Sequence, residues 1–267
     1  IIDTNAKYPY RVRNGATTVY NADGTIAYED TATQTYVEIP LKEDFTIDIN
    51  DYKGKNGVIF IANPNAPTGI ALSLSQIEEI IVSNPDSVVV IDEAYVDFGA
   101  ESAVELVNKY DNLLVTQTFS KSRSLAGGRL GFGIGNAALI QDLQTIRNST
   151  NPYNVNRMTM AAGTAALCEN DYYMENCKKI VQTRGETKAE LEKLGFFVTD
   201  SKANFLFAKS DAIDGESLYL ELKKRGVLVR HFSAEKIKDY NRITVGTPEQ
   251  MSVFLDKVKE ILNDIQK

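Results

Sequence analysis

Four short apolar runs constrain this chain more than any other feature. Val58–Ala62 (VIFIA), Val88–Ile91 (VVVI), Leu113–Thr116 (LLVT) and Leu130–Ile134 (LGFGI) read as buried strands. Between them, Ser73–Val82 and Ser102–Lys109 read as helices. Buried strands separated by helices imply a mainly parallel sheet with helices on both faces. In such sheets ligands sit beyond the carboxyl ends of the strands. Three chemically rich clusters follow strands here: NPNAPTG (63–69), DEAYVDF (92–98) and TFSKSRSLAGGRLGF (118–132).

Beyond these, 136–147 and 157–194 read as largely helical, with a turn-prone NSTNPYN (148–154) between them. From about residue 196 the pattern changes. FFV, NFLFA, VLV and RITV read as short strands with helices between or after them. Asp214 is placed to cap a helix ending at Gly226, and Thr247-Pro248-Glu249-Gln250 is a capping-box sequence with proline at the first helical position. Met251, Phe254, Leu255, Val258, Ile261, Leu262 and Ile265 make one apolar helical stripe. The fold class expected is therefore α/β, with a large unit over residues 1–175 and a smaller α+β unit over 176–267. Residues 1–45 carry the weakest periodicity; Thr35–Ile39 reads as a strand stopped by Pro40.

Composition narrows the function. The net charge is −7, with 43% hydrophobic and 24% charged residues, which leaves little basic excess for a nucleic-acid or anionic-membrane surface. No apolar run reaches membrane-spanning length, and the start, IIDTNAKYPY, lacks the pattern of a secretory leader, so a cytoplasmic protein is expected. Cys168 and Cys177 read as reduced thiols. A single histidine, His231, rules out a His-rich metal site, and no metal is expected.

Asp92 ends an apolar strand. On its own it reads equally as a cap for the following turn. A nucleotide-hydrolysing acid pair would need a G-x-x-x-x-G-K-[ST] loop, and the chain has none. The lysine in TFSKSRSLAGGRLGF is the third option. Lysine becomes an imine-forming nucleophile when desolvated or placed near charge. Pyridoxal phosphate supplies a matching aldehyde and asks four things of a protein. These are a Schiff-base lysine, a carboxylate for the pyridine nitrogen, a donor to the phenolic oxygen, and hydroxyls with an arginine for the phosphate. Lys121, Asp92, Tyr95, and Thr118 and Ser120 with Arg129 supply these types at the strand ends of one sheet. Gly127 and Gly128 would let backbone pass close to the cofactor.

Taken together, NPNAPTG, DEAYVDF and TFSKSRSLAGGRLGF resemble the fold-type I pyridoxal-phosphate aminotransferases, and within them most closely the histidinol-phosphate aminotransferases. The resemblance continues through SKANFLFAK (201–209), VLVRHF (227–232) and NRITVG (241–246), covering about residue 35 to the end. It implies pyridoxal 5′-phosphate as cofactor, held by Lys121 and paired to Asp92. Tyr95 would donate to the phenolic oxygen, and Thr118, Ser120 and Arg129 would bind the phosphate. On the substrate side it implies Arg242 for a carboxylate, Arg230 for a substrate phosphate and Asn204 lining the pocket. Arg242 reads otherwise as a strand-end surface arginine. The implied partners are a small amino donor, a 2-oxo acid acceptor and a second copy of the chain.

Two departures stand out. Family members usually carry asparagine directly before Pro-Thr-Gly, where this chain has Ala66, so either Tyr95 carries that contact alone or Asn65 partly replaces it. The family's extra length lies before NPNAPTG. DTNAKYPY (3–10) is weakly similar to its arm and TYVEIPLKEDFTIDINDY (35–52) to the segment entering NPNAPTG, without the usual middle. The implied activity is transamination of histidinol phosphate with 2-oxoglutarate or glutamate. An aromatic or other amino-acid aminotransferase, a phosphoamino-acid decarboxylase and a non-catalytic scaffold stand as alternatives.

Overall fold

A computed structural model describes residues 10–13, 16–20, 26–30, 37–55 and 57–265. The large unit is built on a four-stranded sheet of β4 (Ile59–Ala62), β5 (Val89–Asp92), β6 (Leu113–Thr118) and β7 (Gly131–Gly135), in that spatial order. The first three strands run parallel, as a buried all-apolar pattern predicts, and β7 returns antiparallel to β6. Preceding them in sequence, β1 (Tyr10–Arg13), β2 (Ala16–Tyr20) and β3 (Ile26–Asp30) form an antiparallel meander. The arm-like DTNAKYP (3–9) lies outside the described residues.

Alternation gives the main sheet two distinct faces. Ile59, Ile61, Val89, Ile91, Leu113 and Val115 form one core with Ile77, Ile80 and Ile81 of α1 (Leu74–Val82). That helix starts as predicted: the Ser73 side chain and Gln76 satisfy each other's backbone in a capping box. On the opposite face, Leu114 lies near Gly133, whose missing side chain leaves room for Leu143 of α2 (Ala137–Thr150). α1 thus covers one face, while α2 approaches the other at Gly133 and leaves Phe60 exposed there.

The second sheet is antiparallel, ordered β10 (Arg230–His231), β11 (Asn241–Thr244), β9 (Phe205–Ser210), β8 (Phe196–Val198). Its inner face buries Leu206, Ala208 and Ile243 against α5 (Gly215–Lys224) and α6 (Pro248–Ile265). Asp214 caps α5 by accepting from Ser217 N–H, and Thr247 and Gln250 close the expected box on α6. The α6 stripe is buried through Ile261, but Ile265 is half-exposed. Between the two sheets run α3 (Arg157–Cys168) and the long α4 (Asn170–Lys193). Cys168 and Cys177 are free thiols, the first exposed and the second buried.

Three expected elements differ. Ser102–Lys109 forms only a short 3₁₀ turn at Ala103–Leu106, because Ser102 Oγ and Ala103 N–H are both drawn to the buried Glu93 carboxylate. Val227–Val229 is irregular: it leaves α5 by the left-handed Gly226, and the strand starts only at Arg230. Val37–Ile39, the described part of the strand placed at Thr35–Ile39, is also irregular, and Val37 lies exposed.

Candidate active site

The loops leaving β4, β5 and β6 meet at one edge because those strands are parallel and in step. Ala62 pairs with Asp92, and Asp92 with Thr116. Alternation sends Asp92 away from the α1 core and Glu93 into it. Asp92 is half-buried, and its Oδ1 accepts from the Thr116 hydroxyl at 3.3 Å. Glu93 is 2% exposed and accepts from Ser102 Oγ (2.7 Å), Ala103 N–H (2.6 Å) and Gln117 Nε2 (2.8 Å). Burial pushes its carboxyl pKa up, against the downward pull of those hydrogen bonds.

Lys121 is exposed, and its Nζ lies 5.3 Å from the centre of the Tyr95 ring. The loop that carries it is bound to the loop that carries Tyr95, because Ser122 Oγ donates to the Asp97 carboxylate. The hydroxyls of Thr118 and Ser120 are 3.0 Å apart. Arg129 adopts a left-handed conformation (φ 51°) and donates from Nη1 to the Ala126 carbonyl at 3.0 Å. Among the described residues no carboxylate lies within ion-pair distance of this guanidinium. Gly127 is open on its outer side, whereas Gly128 abuts Leu125. Asn65 braces its own turn: Oδ1 accepts from Thr68 Oγ1 at 2.9 Å, and its carbonyl accepts Gly69 N–H at 2.8 Å.

The substrate-side residues predicted from sequence sit on the outer face of the second sheet. Register places Arg242 opposite both Phe207 and Arg230, so the three share that face. Arg242 Cζ lies 5.1 Å from the Phe205 ring centre and 5.9 Å from that of Phe232; Arg230 lies 5.6 Å from Phe232. Phe205 in turn packs edge-on against Tyr95, with centroids 5.2 Å apart. Asn204, half-buried before Phe205, accepts Val245 N–H through its carbonyl. Among the described residues neither Arg230 nor Arg242 has an ion-pair partner. A continuous line therefore runs Lys121, Tyr95, Phe205, Arg242, Phe232, Arg230, joining the strand-end loops of one sheet to the face of the other.

Sequence reasoning missed Glu93, Asp97 and the aromatic links Phe205 and Phe232. Strand alternation past Asp92 is the signal that would have separated the two acids. Among the described residues no group of three or more His, Cys, Asp or Glu is placed to hold a metal ion. No described helix is long and apolar enough to cross a membrane.

Residues 26–258 match the family model for aminotransferase class I and II. The chain belongs to that family. Among curated relatives, it is 56% identical over 229 residues to the histidinol-phosphate aminotransferase of Brachyspira hyodysenteriae, an alignment covering 85% of this chain and 65% of that protein. Among solved structures, the histidinol-phosphate aminotransferase of Clostridium acetobutylicum superposes with a TM-score of 0.75 at 26% identity, over 84% of this chain and 70% of that one. The Sinorhizobium meliloti histidinol-phosphate aminotransferase, solved in complex with pyridoxal-5′-phosphate, gives 0.69 at 24% identity, covering 78% of this chain and 58% of that one. The chain thus spans just under two thirds of the Brachyspira relative, and its architecture is that of these aminotransferases.

Proposed function

We propose that this chain acts in pyridoxal-phosphate-dependent transamination, exchanging an amino group between histidinol phosphate and 2-oxoglutarate or glutamate. The observation that carries the reading is the unbroken line from the Lys121 amine to two arginines that have no carboxylate partner among the described residues. It sets an imine-forming group and an anion clamp on one surface. The donor set also fits the cofactor: an acid, a phenol, an amine, paired hydroxyls and a guanidinium stand together at one sheet edge.

When bound, pyridoxal phosphate supplies an aldehyde that captures amines and a protonated ring that accepts the electrons released at the substrate Cα. Asp92, oriented by Thr116, holds the proton on the ring nitrogen. Tyr95 donates its hydroxyl to the phenolic oxygen. Thr118, Ser120 and Arg129 bind the phosphate; Arg129 does so with the guanidinium edge not committed to Ala126. Lys121 Nζ would hold the cofactor through its aldehyde, and the same amine would move the proton at the substrate Cα. Arg242 takes the carboxylate of glutamate in a bidentate fork, and Arg230 takes the phosphate of the alternative substrate. The two arginines lie opposite each other in the ladder, so one face serves both half-reactions.

The division into units at 1–175 and 176–267 and assembly as a homodimer belong to the same proposal. Met158 is 84% exposed and Met160, Leu167 and Tyr172 are exposed along α3 and α4, an apolar surface of the kind that partners cover.

The deciding experiment is incubation with pyridoxal phosphate, borohydride reduction and peptide mapping. A pyridoxyl mass on Lys121, with loss of the bound-cofactor absorbance on adding histidinol phosphate, supports the proposal. Labelling elsewhere, or no response to that donor, refutes it.

A further inference from the structure

Arg184 of α4 belongs to none of the clusters above, yet it lies where the two halves of the candidate site meet. It is 8% exposed, and among the described residues no carboxylate lies within ion-pair distance of it. A buried guanidinium without a close counter-ion is costly to maintain and calls for strong acceptors. Its Nη1 donates to two carbonyls at once: Phe98 at 2.8 Å and Ala203 at 2.6 Å. Phe98 closes the 3₁₀ turn (Val96–Phe98) that follows Tyr95 directly. Ala203 precedes Asn204 and Phe205, the entry to β9 that packs on both Tyr95 and Arg242.

The same short segment docks on the other cofactor-side loop. Thr199 Oγ1 donates to the Thr68 carbonyl at 2.7 Å, and Lys202 N–H donates to the Gly69 carbonyl at 2.7 Å. The Ser201 hydroxyl occupies the space that a Cβ on Gly69 would take, 2.1 Å from that position, so the two backbones meet in contact. Residues 199–203 are thereby held against the loops after β4 and β5 together, and Arg184 is the side chain that bonds both this segment and the turn after Tyr95.

We infer that Arg184 is a positioning residue that fixes the arginine-bearing sheet relative to the Lys121–Tyr95 edge, setting the reach between the reactive amine and the substrate anion. This rests on the transaminase reading for its consequence in catalysis, though the latch itself is a property of the fold. Lysine at this position keeps the cation, but its shorter stem and tetrahedral ammonium do not reproduce the two in-plane N–H bonds that Nη1 aims at the two carbonyls.

The test compares R184K and the milder T199V with the parent chain in two measurements. The first is hydrogen exchange of the amides at 96–99 and 203–205. In R184K both segments are expected to exchange at least about tenfold faster, together. If neither changes, or only one does, the latch is wrong. The second is the split between KM for the amino donor and kcat. R184K is expected to raise KM about tenfold or more with a smaller change in kcat and unchanged borohydride labelling of Lys121; T199V is expected to follow in the same direction more weakly. An unchanged KM, or a fall in labelling parallel to the loss of activity, overturns the positioning role. Absence of any donor response in the parent chain would sink the transaminase reading instead, and the latch would then stand or fall on the exchange data.

Discussion

The two four-stranded sheets solve the same problem in opposite ways. In the parallel sheet the strands end together, so Asp92 at the end of β5 and Tyr95 and Lys121 on the loops beyond β5 and β6 share one edge, while the alternate strand residues from Ile59 to Val115 serve the core. In the antiparallel sheet the ends point both ways and offer no common edge. There the candidate anion-binding residues lie on the sheet's face, with Arg230, Arg242 and Phe207 brought together by register. The first arrangement lets a loop change without touching the core. In the second each functional residue has a core residue as its immediate neighbour, as Arg242 has the buried Ile243.

The largest test of this contrast is at Lys121. Because it is exposed and on a loop, Lys121→Ala should cost a factor of about 10³ or more in turnover while leaving thermal unfolding nearly unchanged. A parallel loss of stability would show the loop to be part of the core. Phe207, fully buried on the arginine-bearing face, should behave in the reverse way. Phe207→Ala is expected to cost about 3–5 kcal/mol in denaturant unfolding, since it leaves Tyr240 without its stacking partner and Phe45 without its edge-on one.

The buried thiol offers a pH test. Desolvation first, then the Asp97 charge, raises Cys177 from 9.0 to about 11. A raised folded-state value means that the thiol's contribution to stability is fully present below pH 9.0 and is lost as the pH climbs through about 11. At pH 8, alkylation followed by mass spectrometry should therefore modify Cys168 about a hundredfold faster than Cys177; equal rates would contradict the burial of α4. Next in size, Arg242→Lys should raise KM for the amino donor by roughly ten- to thirtyfold, from loss of bidentate pairing, without altering cofactor capture. The smallest effect is expected for Ser73→Ala, which removes the α1 cap at a cost of about 1 kcal/mol by unfolding; activity should be retained.

What the sequence disclosed followed the same division. Strand-end loops announce themselves, because an apolar run stops and polar residues begin; Asp92, Tyr95 and Lys121 were legible for that reason. The helix caps at Asp214 and Thr247 were legible too, because capping is a local contract between residues three apart. Contacts made across the chain were not. Nothing near Ser102 reveals that a carboxylate nine positions earlier will claim it and shorten the expected helix to one turn. Nor does the weakly patterned segment before residue 45 reveal that Phe45, in a left-handed conformation (φ 66°), packs edge-on against both Phe207 and Tyr240, which stack on each other. Arg184 looks like one more charge on a polar helix until its two carbonyl acceptors are seen.

The hairpin that carries the lysine has one more consequence. Thr118 and Gly131 are ladder partners, and Phe119 N–H donates to the Leu130 carbonyl at 3.0 Å, so the segment between them is pinched shut at its base. It behaves as a ring of fixed circumference, with the amine of Lys121 and the guanidinium of Arg129 as two stones set in it. Adding or removing a residue within the ring is then the direct way to retune this site for a longer or shorter anchor between a reactive carbonyl and its anionic tail.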